Sequence, residues 1–509
     1  MTLAEVLKDV PAPELARGDL PVGGIAVDSR KVRPGDLFVA LRGEKADGHD
    51  YLAAAARAGA AAALVEWDVP SPPLPCVRVP STAAALARTA ANFHGDPSAR
   101  LTVVGVTGTN GKTTTTYLLE SIFDAAGGKA AVIGTINYRL AGEVIRTGLT
   151  TPFPHELQEV MAAAAAAGAT HLVMEVSSHS AAQGRIEGVR FDAGIFTNLT
   201  HDHLDFHGDM ESYFDAKASF FRTYLPAGGK KAGMAVNADD DYGKRLAREF
   251  PRCLAFGTSR EAPVHPLAVT MSWEGSRLIL ATPSGEIDVR TRLIGEYNVS
   301  NVMAAVCGAL LVGVPVEAIR AGVDRLWTIP GRMEEIPNGR GLHIYVDYAH
   351  TPDGLDRVLA ALRGLAPARL ITVFGCGGNR DRTKRPEMGR IAARRSDVVV
   401  VTSDNPRNEE PGAILREIVP GLVAEGFVEA RGSAPLTRGS SERDGRYFEV
   451  IEDRKAAIAR ALGLAHPGDT IAIAGKGHEN VQIIGDRRLP FDDREAVRGL
   501  LAGAGTHDA

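Results

Sequence analysis

The run Gly108-Thr109-Asn110-Gly111-Lys112-Thr113-Thr114 has the residue types of a phosphate-binding loop. It follows an apolar run, 101–106, that predicts a buried strand, and it leads into 114–126, which predicts a helix. A glycine turn between a strand and a helix exposes backbone N–H groups and a helix N-terminus, and both attract phosphate. Lys112 can reach the terminal phosphates and the Thr113 hydroxyl can ligate Mg²⁺. We therefore predict nucleoside triphosphate binding, although Val106 occupies the position of the usual first glycine.

Further ionisable residues follow two other predicted strands. Glu175 follows the apolar run 171–174, and ligand groups gather at the carboxyl ends of strands in open α/β sheets. Glu175 is thus placed to hold Mg²⁺, the alternative being a buried acid paired within the sheet. The segment 201–207 alternates histidine with aspartate after the predicted strand 193–197, and this set suits a divalent cation. Lys217, on an apparent helix, is by its residue type alone an ordinary surface lysine.

The last third of the chain carries four polar, mostly glycine-rich loops, each after an apolar run. These loops are 347–352, 375–382, 403–407 and 475–479. Because the carboxyl ends of parallel strands meet at one edge of a sheet, we expect the loops to form one composite site. Its arginines and acids suit a ligand that carries both carboxylate and ammonium groups.

A length of 509 residues predicts about three domains. Breaks rich in proline and glycine place them at 1–98, 99–330 and 331–509. Strands alternating with helices predict α/β domains with mostly parallel sheets, at least for the second and third. Residues 431–446, rich in glycine, serine and arginine, predict a mobile surface loop.

Composition excludes several classes of protein. A net charge of −5 argues against a general nucleic-acid binder. The four cysteines lie far apart, which fits a reducing cytosol, and the N-terminus lacks the pattern of a signal peptide. The apolar run 302–316 is shorter than the roughly 20 residues of a membrane span and contains Pro315, so it predicts a buried helix.

Taken together, these motifs resemble the Mur ligases, ATP-dependent amide-forming enzymes of peptidoglycan synthesis, and within them the branch that adds the third residue of the stem peptide. The resemblance covers nearly the whole chain. Besides the phosphate loop it includes Asp28-Ser29-Arg30, Thr150-Thr151-Pro152, Glu175-Val176-Ser177-Ser178-His179, Asp202-His203-Leu204-Asp205, Tyr297-Asn298-Val299-Ser300-Asn301, Pro330-Gly331-Arg332-Met333-Glu334, Asp347-Tyr348-Ala349-His350, Asp404-Asn405-Pro406-Arg407 and Gly475-Lys476-Gly477-His478-Glu479.

The resemblance implies a central P-loop ATP-binding domain, a C-terminal Rossmann-like α/β domain and a smaller N-terminal α/β domain. The implied reaction adds meso-2,6-diaminopimelate to UDP-N-acetylmuramoyl-L-alanyl-D-glutamate through an acyl phosphate, with ATP as co-substrate and Mg²⁺ as cofactor. A cytoplasmic monomer without nucleic-acid partner or membrane span is the corresponding expectation. Domain closure is expected as well, because the nucleotide and amino-acid loops lie on different domains.

The resemblance also assigns roles to residues. Val27, Ser29, Glu44, Lys45 and Ala46 would hold the uridine end of the substrate, and Thr150, Thr151, Ser177, Gln183 and Arg185 the muramoyl-dipeptide. Asn298, Asn301, Arg332 and Asp347 would join the phosphate loop at ATP, and Arg380, Asp404, Asn405, Pro406, Arg407, Gly475 and Glu479 would bind diaminopimelate. The implied catalytic residues are Lys112, Glu175, His203 and Lys217, and the implied metal ligands are Thr113, Glu175, His203 and Lys217 as a carbamate.

Arg407 is the residue expected to determine which amino acid is added. In the family, the Asp-Asn-Pro-Arg loop accompanies meso-diaminopimelate, whose distal carboxylate an arginine can pair bidentately. Lysine would instead place an ammonium beside Arg407. Two departures from relatives are Leu149, where asparagine is common, and Glu44-Lys45 in place of His-Gln.

Two alternatives stay open at the level of sequence. A related ligase, such as folylpolyglutamate synthase or another Mur enzyme, is disfavoured by the Asp404-Asn405-Pro406-Arg407 loop and by Asp28-Ser29-Arg30. A nucleotide-dependent switch or motor leaves the composite third-domain site unexplained. The Asn-Lys-x-Asp motif that reads guanine in GTPases is absent from the sequence.

Overall fold

A computed structural model describes residues 1–12, 17–43, 46–146, 148–430 and 446–504. Glu44, Lys45 and nearly all of the predicted loop 431–446 lie outside the described residues. The predicted α/β class is confirmed: the sheets are mostly parallel and helices connect their strands. The domain boundaries at 98/99 and 330/331 stay a prediction.

The N-terminal sheet has four parallel strands in the order β1-β2-β3-β4. Its elements are β1 (Gly24–Ala26), β2 (Asp36–Val39), β3 (Ala62–Val65), β4 (Cys76–Arg78), α1 (Leu3–Val6), α2 (Leu52–Arg57) and α3 (Thr82–Phe93). Strands β2 and β3 are buried throughout, so the helices cover both faces of this small sheet.

The middle sheet has eight strands in the order β12-β11-β10-β5-β9-β6-β7-β8, and only β7 runs antiparallel to its neighbours. Its strands are β5 (Thr102–Thr107), β6 (Ala130–Ile133), β7 (Tyr138–Leu140), β8 (Glu143–Arg146), β9 (His171–Glu175), β10 (Ala193–Phe196), β11 (Gly233–Asn237) and β12 (Leu254–Phe256). An antiparallel sheet of β13 (His265–Ser272), β14 (Gly275–Thr282) and β15 (Gly285–Thr291) packs on the same core.

Nine helices accompany the middle sheet in the described residues. They are α4 (Lys112–Ala125), α5 (Pro154–Ala166), α6 (Ser178–Ala182), α7 (Leu204–His207), α8 (Met210–Ser219), α9 (Leu225–Ala227), α10 (Asp241–Glu249), α11 (Glu296–Leu311) and α12 (Val316–Arg325). The uncharged run 302–316 begins inside α11, whose middle is buried, as predicted. None of the described helices is both long and apolar enough to cross a bilayer.

The C-terminal sheet has seven strands in the order β16-β17-β22-β18-β19-β21-β20, parallel except for β16. Its elements are β16 (Glu334–Glu335), β17 (His343–Asp347), β18 (Leu370–Phe374), β19 (Val398–Val401), β20 (Val428–Glu429), β21 (Tyr447–Val450), β22 (Thr470–Ala474), α13 (Pro352–Gly364), α14 (Lys384–Arg395), α15 (Pro411–Ala424), α16 (Arg454–Leu464) and α17 (Asp493–Ala504). A separate hairpin consists of β23 (Val481–Ile484) and β24 (Arg487–Pro490). The four polar loops predicted to converge follow β17, β18, β19 and β22, which are neighbours in this sheet.

Candidate active site

The phosphate loop leaves β5 at the centre of the middle sheet and ends where Lys112 begins α4. Gly108 and Gly111 have φ values of 145° and 88°, which favour glycine. A Cβ atom at Gly108 would overlap the Thr197 hydroxyl, and one at Gly111 would overlap the Asn301 side chain. The backbone therefore turns too tightly here for any other residue.

Two lysines meet at this loop. The Lys112 ammonium donates to the carbonyls of Gly108 and Thr109, at 2.9 Å each, and Lys217 donates to the same Gly108 carbonyl at 2.8 Å. Lys217 is only 1% exposed, so its interpretation as a surface lysine is wrong. Helix α8 turns it inward over the Tyr213 ring. Burial, with the charge of Lys112, holds the pKa of Lys217 well below its usual range.

Glu175 ends β9 with its carboxylate beside the loop. Its Oε1 accepts hydrogen bonds from the Thr113 hydroxyl and the Thr135 N–H, at 2.9 Å each, and its Oε2 accepts one from the Thr135 hydroxyl at 2.9 Å. Glu175 is therefore a buried, hydrogen-bonded acid, as the alternative interpretation predicts. Its carboxylate also faces the phosphate loop, as Mg²⁺ binding requires. Its carboxylate and the Thr113 hydroxyl are the hard oxygen donors that Mg²⁺ prefers, so this pair fits the ion.

The cation site predicted for the segment 201–207 stays a prediction. His203 lies 3.4 Å from Asp202, and burial lowers the pKa of His203 to about 4. Across the described ranges, no group of three or more His, Cys, Asp or Glu side chains is arranged to hold a metal ion. The described residues therefore hold no preformed cluster of this kind, and the role of His203 as a metal ligand stays a prediction.

A cavity of about 260 Å³ lies above the phosphate loop. It is lined by the predicted nucleotide residues Thr109, Asn110, Gly111, Lys112, Thr113, Thr114, Asn298, Asn301, Arg332 and Asp347. Arg332, which follows the middle-domain helices, donates to the Thr113 hydroxyl at 3.2 Å. The structure thus brings together residues that are more than 200 positions apart in the chain.

Asp347, in the C-terminal domain, lines the same cavity. Its two oxygens accept 2.7 Å hydrogen bonds from the Met333 and Ala349 N–H groups, and burial raises its pKa. Asp347 therefore fixes the segment that carries Arg332. In this structure its direct partners are backbone groups of its own domain.

The residues expected to hold the muramoyl-dipeptide cluster beside Glu175. The Thr151 hydroxyl donates to the Glu175 carbonyl at 2.8 Å and accepts from the Ser177 N–H at 3.2 Å. Arg185 donates to the Thr151 carbonyl at 3.2 Å and to the Gln183 side chain at 2.9 Å. Thr150 and Ser177 also line the nucleotide cavity, so this cluster opens directly onto it.

The predicted uridine-binding residues lie elsewhere, in the N-terminal domain. Val27 follows β1, Ser29 begins a short 3₁₀ turn and Ala46 is exposed. None of these three lines the nucleotide cavity or the amino-acid cavity described next. Their role stays a prediction.

A second cavity, of about 470 Å³, lies at the C-terminal ends of β17, β18, β19 and β22. Its lining includes the predicted residues Arg380, Asp404, Asn405, Arg407, Gly475 and Glu479; Pro406 lies between two of them in the chain. Arg407 is half-buried, and burial together with the nearby Arg380 charge lowers its pKa. Two neighbouring guanidinium groups favour an anion at this end.

The other wall of this cavity is acidic. Glu479 accepts a 2.8 Å hydrogen bond from Asn405 and a 3.1 Å hydrogen bond from the buried Lys476 ammonium. Among the residues that the structure describes, the buried Oδ1 atom of Asp404 has no hydrogen-bond partner, although Lys476 lies 3.8 Å away. A buried carboxylate oxygen that accepts no hydrogen bond favours a ligand that brings donors, such as an ammonium group.

The two cavities are contiguous. Both are lined by Asp202, His203, Tyr348, His350 and Thr351. A group activated above the phosphate loop therefore lies next to the amino-acid cavity.

Comparison with known proteins places this geometry in a family. The chain matches the Mur ligase family catalytic domain over residues 21–94, the Mur ligase middle domain over 106–309 and the Mur ligase glutamate ligase domain over 331–477. It is 46% identical to the UDP-N-acetylmuramoyl-L-alanyl-D-glutamate–2,6-diaminopimelate ligase of Geobacter metallireducens, over 97% of each chain. The chain belongs to the Mur ligase family. The predicted resemblance is confirmed.

Solved structures agree with this assignment. A structure of UDP-N-acetylmuramoyl-L-alanyl-D-glutamate–2,6-diaminopimelate ligase superposes on this Mur ligase with a TM-score of 0.69 and 31% identity, over 99% of both chains. The MurF ligase of Thermotoga maritima in complex with ADP has a TM-score of 0.64 at 18% identity, over 96% of this chain and 100% of the other. The second match supports the fold alone.

Several cavity residues of this Mur ligase were missed by sequence reasoning. Thr135 belongs to no motif, and only the fold shows that it holds Glu175 by two hydrogen bonds. Tyr348, His350 and Thr351 were noted within a polar loop, and the first two also within a family motif, but they were given no role, yet they line both cavities. The available signals were their position directly after a predicted strand and, for Tyr348 and His350, that motif.

Proposed function

We propose that this Mur ligase joins meso-2,6-diaminopimelate to the D-glutamate of UDP-N-acetylmuramoyl-L-alanyl-D-glutamate, using ATP, in the cytoplasm. The observation that carries the proposal is the junction of the two cavities at Asp202, His203, Tyr348, His350 and Thr351. Names of relatives at 41–46% identity over nearly the full chain support the same reaction. The phosphate loop and the composite loop site serve successive steps.

In the first step, the substrate carboxylate attacks the γ-phosphorus of ATP, which forms an acyl phosphate and releases ADP. Two anions must approach each other, so positive groups are needed where their charges meet. Lys112, the N-terminus of α4 and Arg332 all line the nucleotide cavity, and Arg332 donates to the Thr113 hydroxyl. Thr150, Thr151 and Arg185 orient the acceptor beside Glu175.

Mg²⁺ would be held by the Thr113 hydroxyl and Glu175, and it would supply charge neutralisation between the phosphates. Further ligands would come from His203 and from Lys217 as a carbamate. The low pKa of Lys217 supports this modification, because only a neutral amine attacks carbon dioxide. That reaction forms an N–C bond and releases one proton, and it converts a neutral buried amine into an anion.

In the second step, the diaminopimelate amine attacks the acyl carbon, phosphate leaves and the amine loses its proton. Arg407 and Arg380 pair with the distal carboxylate, while Asp404 and Glu479 receive the ammonium group beside it. Lysine has no distal carboxylate, so its ammonium would lie next to two guanidinium groups. Arg407 therefore supports diaminopimelate as the added amino acid.

The test measures phosphate release from ATP with UDP-N-acetylmuramoyl-L-alanyl-D-glutamate, in parallel with meso-diaminopimelate and with L-lysine. Tripeptide product and phosphate with diaminopimelate alone are expected. Turnover with lysine would leave the ligase reaction but remove the role of Arg407. Phosphate release that needs no amino acid would instead support a nucleotide-dependent switch.

A further inference from the structure

The hairpin β23–β24 lies against the loop that carries Arg407. It follows Glu479 directly in the chain and forms a two-stranded sheet of its own. Such hairpins are marginally stable alone, so this one depends on what it packs against. Its outer strand, β24, is exposed throughout, whereas the four residues of β23 are half-buried.

Four hydrogen bonds tie the hairpin to residues 404–407. The Gln482 side-chain amide donates to the Asp404 carbonyl at 2.9 Å, and the Ile483 N–H donates to the Asn405 side chain at 3.0 Å. The Arg407 N–H donates to the Ile483 carbonyl at 3.0 Å, and the Gly485 N–H donates to the Arg407 carbonyl at 2.6 Å. Arg407 is thus bonded to the hairpin on both sides of its own Cα.

The backbone of Arg407 needs this support. Its φ is 52°, in the left-handed region that a side chain other than glycine rarely adopts. Strained conformations of this kind persist only where surrounding contacts fix them. Within the described residues, the Arg407 backbone makes its hydrogen bonds with the hairpin residues Ile483 and Gly485.

The same conformation sets where the guanidinium group goes. Arg407 donates to the Gly378 carbonyl at 2.8 Å and passes over Gly377, where an added Cβ would lie 2.9 Å from its Nη1 atom. This path brings Arg407 close enough to Arg380 for their charges to interact. If the backbone relaxed, the guanidinium groups would separate and the anion site would be lost.

The geometry points to Gln482 and its hairpin as the element that determines which amino acid is accepted, by holding Arg407 in its strained conformation. Gln482 contacts no reacting atom. It is a positioning residue, because it acts on Arg407 through its hydrogen bond to the 404–407 loop. The inference rests on the proposed function, because it explains how that site selects a distal carboxylate. It predicts that the amino-acid step depends on the hairpin and that the nucleotide step does not.

The test compares Gln482→Met and Gln482→Glu with the wild type. Methionine keeps the length of the side chain and removes the donor, and glutamate places an acceptor against the Asp404 carbonyl. Arg488→Ala is the matched control, because Arg488 is exposed on the same hairpin. We expect both Gln482 variants to raise KM for diaminopimelate about 5- to 10-fold, the loss of one hydrogen bond, with KM for ATP unchanged.

Selectivity and amide exchange complete the test. The preference for diaminopimelate over lysine should fall in both Gln482 variants and stay constant in Arg488→Ala. Hydrogen exchange at the Arg407 amide should accelerate in the Gln482 variants, and this readout needs no substrate. If the wild type uses diaminopimelate but the Gln482 variants show an unchanged KM and an unchanged exchange rate, the inference is overturned while the proposed function stands. A wild type that does not use diaminopimelate would overturn the proposed function and, with it, the selectivity role.

Discussion

Lys217 shows at the scale of one residue how burial changes chemistry. A lysine in water is protonated at neutral pH, whereas this side chain lies under the phosphate loop beside a second lysine. Such a group reduces stability, because the unfolded chain binds a proton that the folded chain does not. Its presence is therefore better explained by catalysis than by folding.

Replacing Lys217 should separate these two effects. Between the lowered pKa of Lys217 and its ordinary value, unfolding takes up a proton, so this residue makes stability rise with pH. In buffer free of carbon dioxide, Lys217→Met should weaken that dependence and leave the melting temperature unchanged or higher. Turnover should fall about 100-fold or more, which is the scale of losing one charged group at a transition state.

The controls for this prediction use thermal unfolding, turnover and carbon NMR. Lys231→Met, at an exposed lysine, should change neither melting temperature nor turnover. A carbamate signal from ¹³C-labelled bicarbonate should appear in the wild type and not in Lys217→Met. A large drop in melting temperature would show that Lys217 is structural instead.

Replacing Arg407 should change which amino acid the enzyme prefers. Arg407→Ala should raise KM for diaminopimelate about 10- to 100-fold, the value of a charge-assisted hydrogen bond of about 1.5–3 kcal/mol. Discrimination against lysine should fall at the same time, because the like charge is removed. Steady-state kinetics with both amino acids measure this, with exposed Arg416→Ala as the control. Equal loss of activity with both amino acids would contradict a selective role.

At the scale of an element, the turn from β5 into α4 sets the nucleotide site. The sequence identifies this element because its glycines, lysine and threonine are contiguous. Its backbone is fixed from outside, however, by Thr197 and Asn301, which belong to other elements.

Two glycines of this region give a matched pair of variants. Gly111→Ala would push a Cβ into Asn301, so KM for ATP should rise at least 10-fold, as backbone N–H groups move off the phosphates. Gly127, just after α4, also has a positive φ, 80°, but no atom lies within 4 Å of an added Cβ. Gly127→Ala should cost about 1–2 kcal/mol of stability and leave KM for ATP unchanged. Nucleotide titration of both variants tests the expected change in ATP affinity, and thermal unfolding tests the expected change in stability.

At the scale of the whole molecule, the active site is shared between domains. Asn110 in the phosphate loop donates to Asp353 of α13 at 2.9 Å, and Arg332 bonds to Thr113 at 3.2 Å. Asp353 also pairs with Arg357 at 2.8 Å. These contacts cross from the middle domain to the C-terminal domain, so nucleotide binding and domain position are physically connected.

Breaking the Asn110–Asp353 contact should loosen the closed arrangement. Asp353→Ala is expected to lower kcat and raise KM for ATP and diaminopimelate together, as is typical when closure is impaired. Asp356→Ala is the control, because Asp356 lies on the same helix and pairs with Arg395 inside its own domain.

X-ray scattering reports the same motion directly. The wild type should become more compact with an ATP analogue and UDP-substrate, and Asp353→Ala should compact less. No change in the wild type would rule out ligand-driven closure.

The sequence by itself determined the fold class, the position of the phosphate loop and the set of loops at the composite site. These follow from local signals: apolar runs, glycine turns and short motifs act within a few residues of one another. For the same reason it identified the correct family.

The features that depend on long-range packing could be determined only from the tertiary structure. It buried Lys217 and placed Thr135 on Glu175. It also joined the two cavities and set the hairpin against Arg407. Burial, pKa and the meeting of distant side chains depend on neighbours far apart in the chain, and no local pattern encodes them.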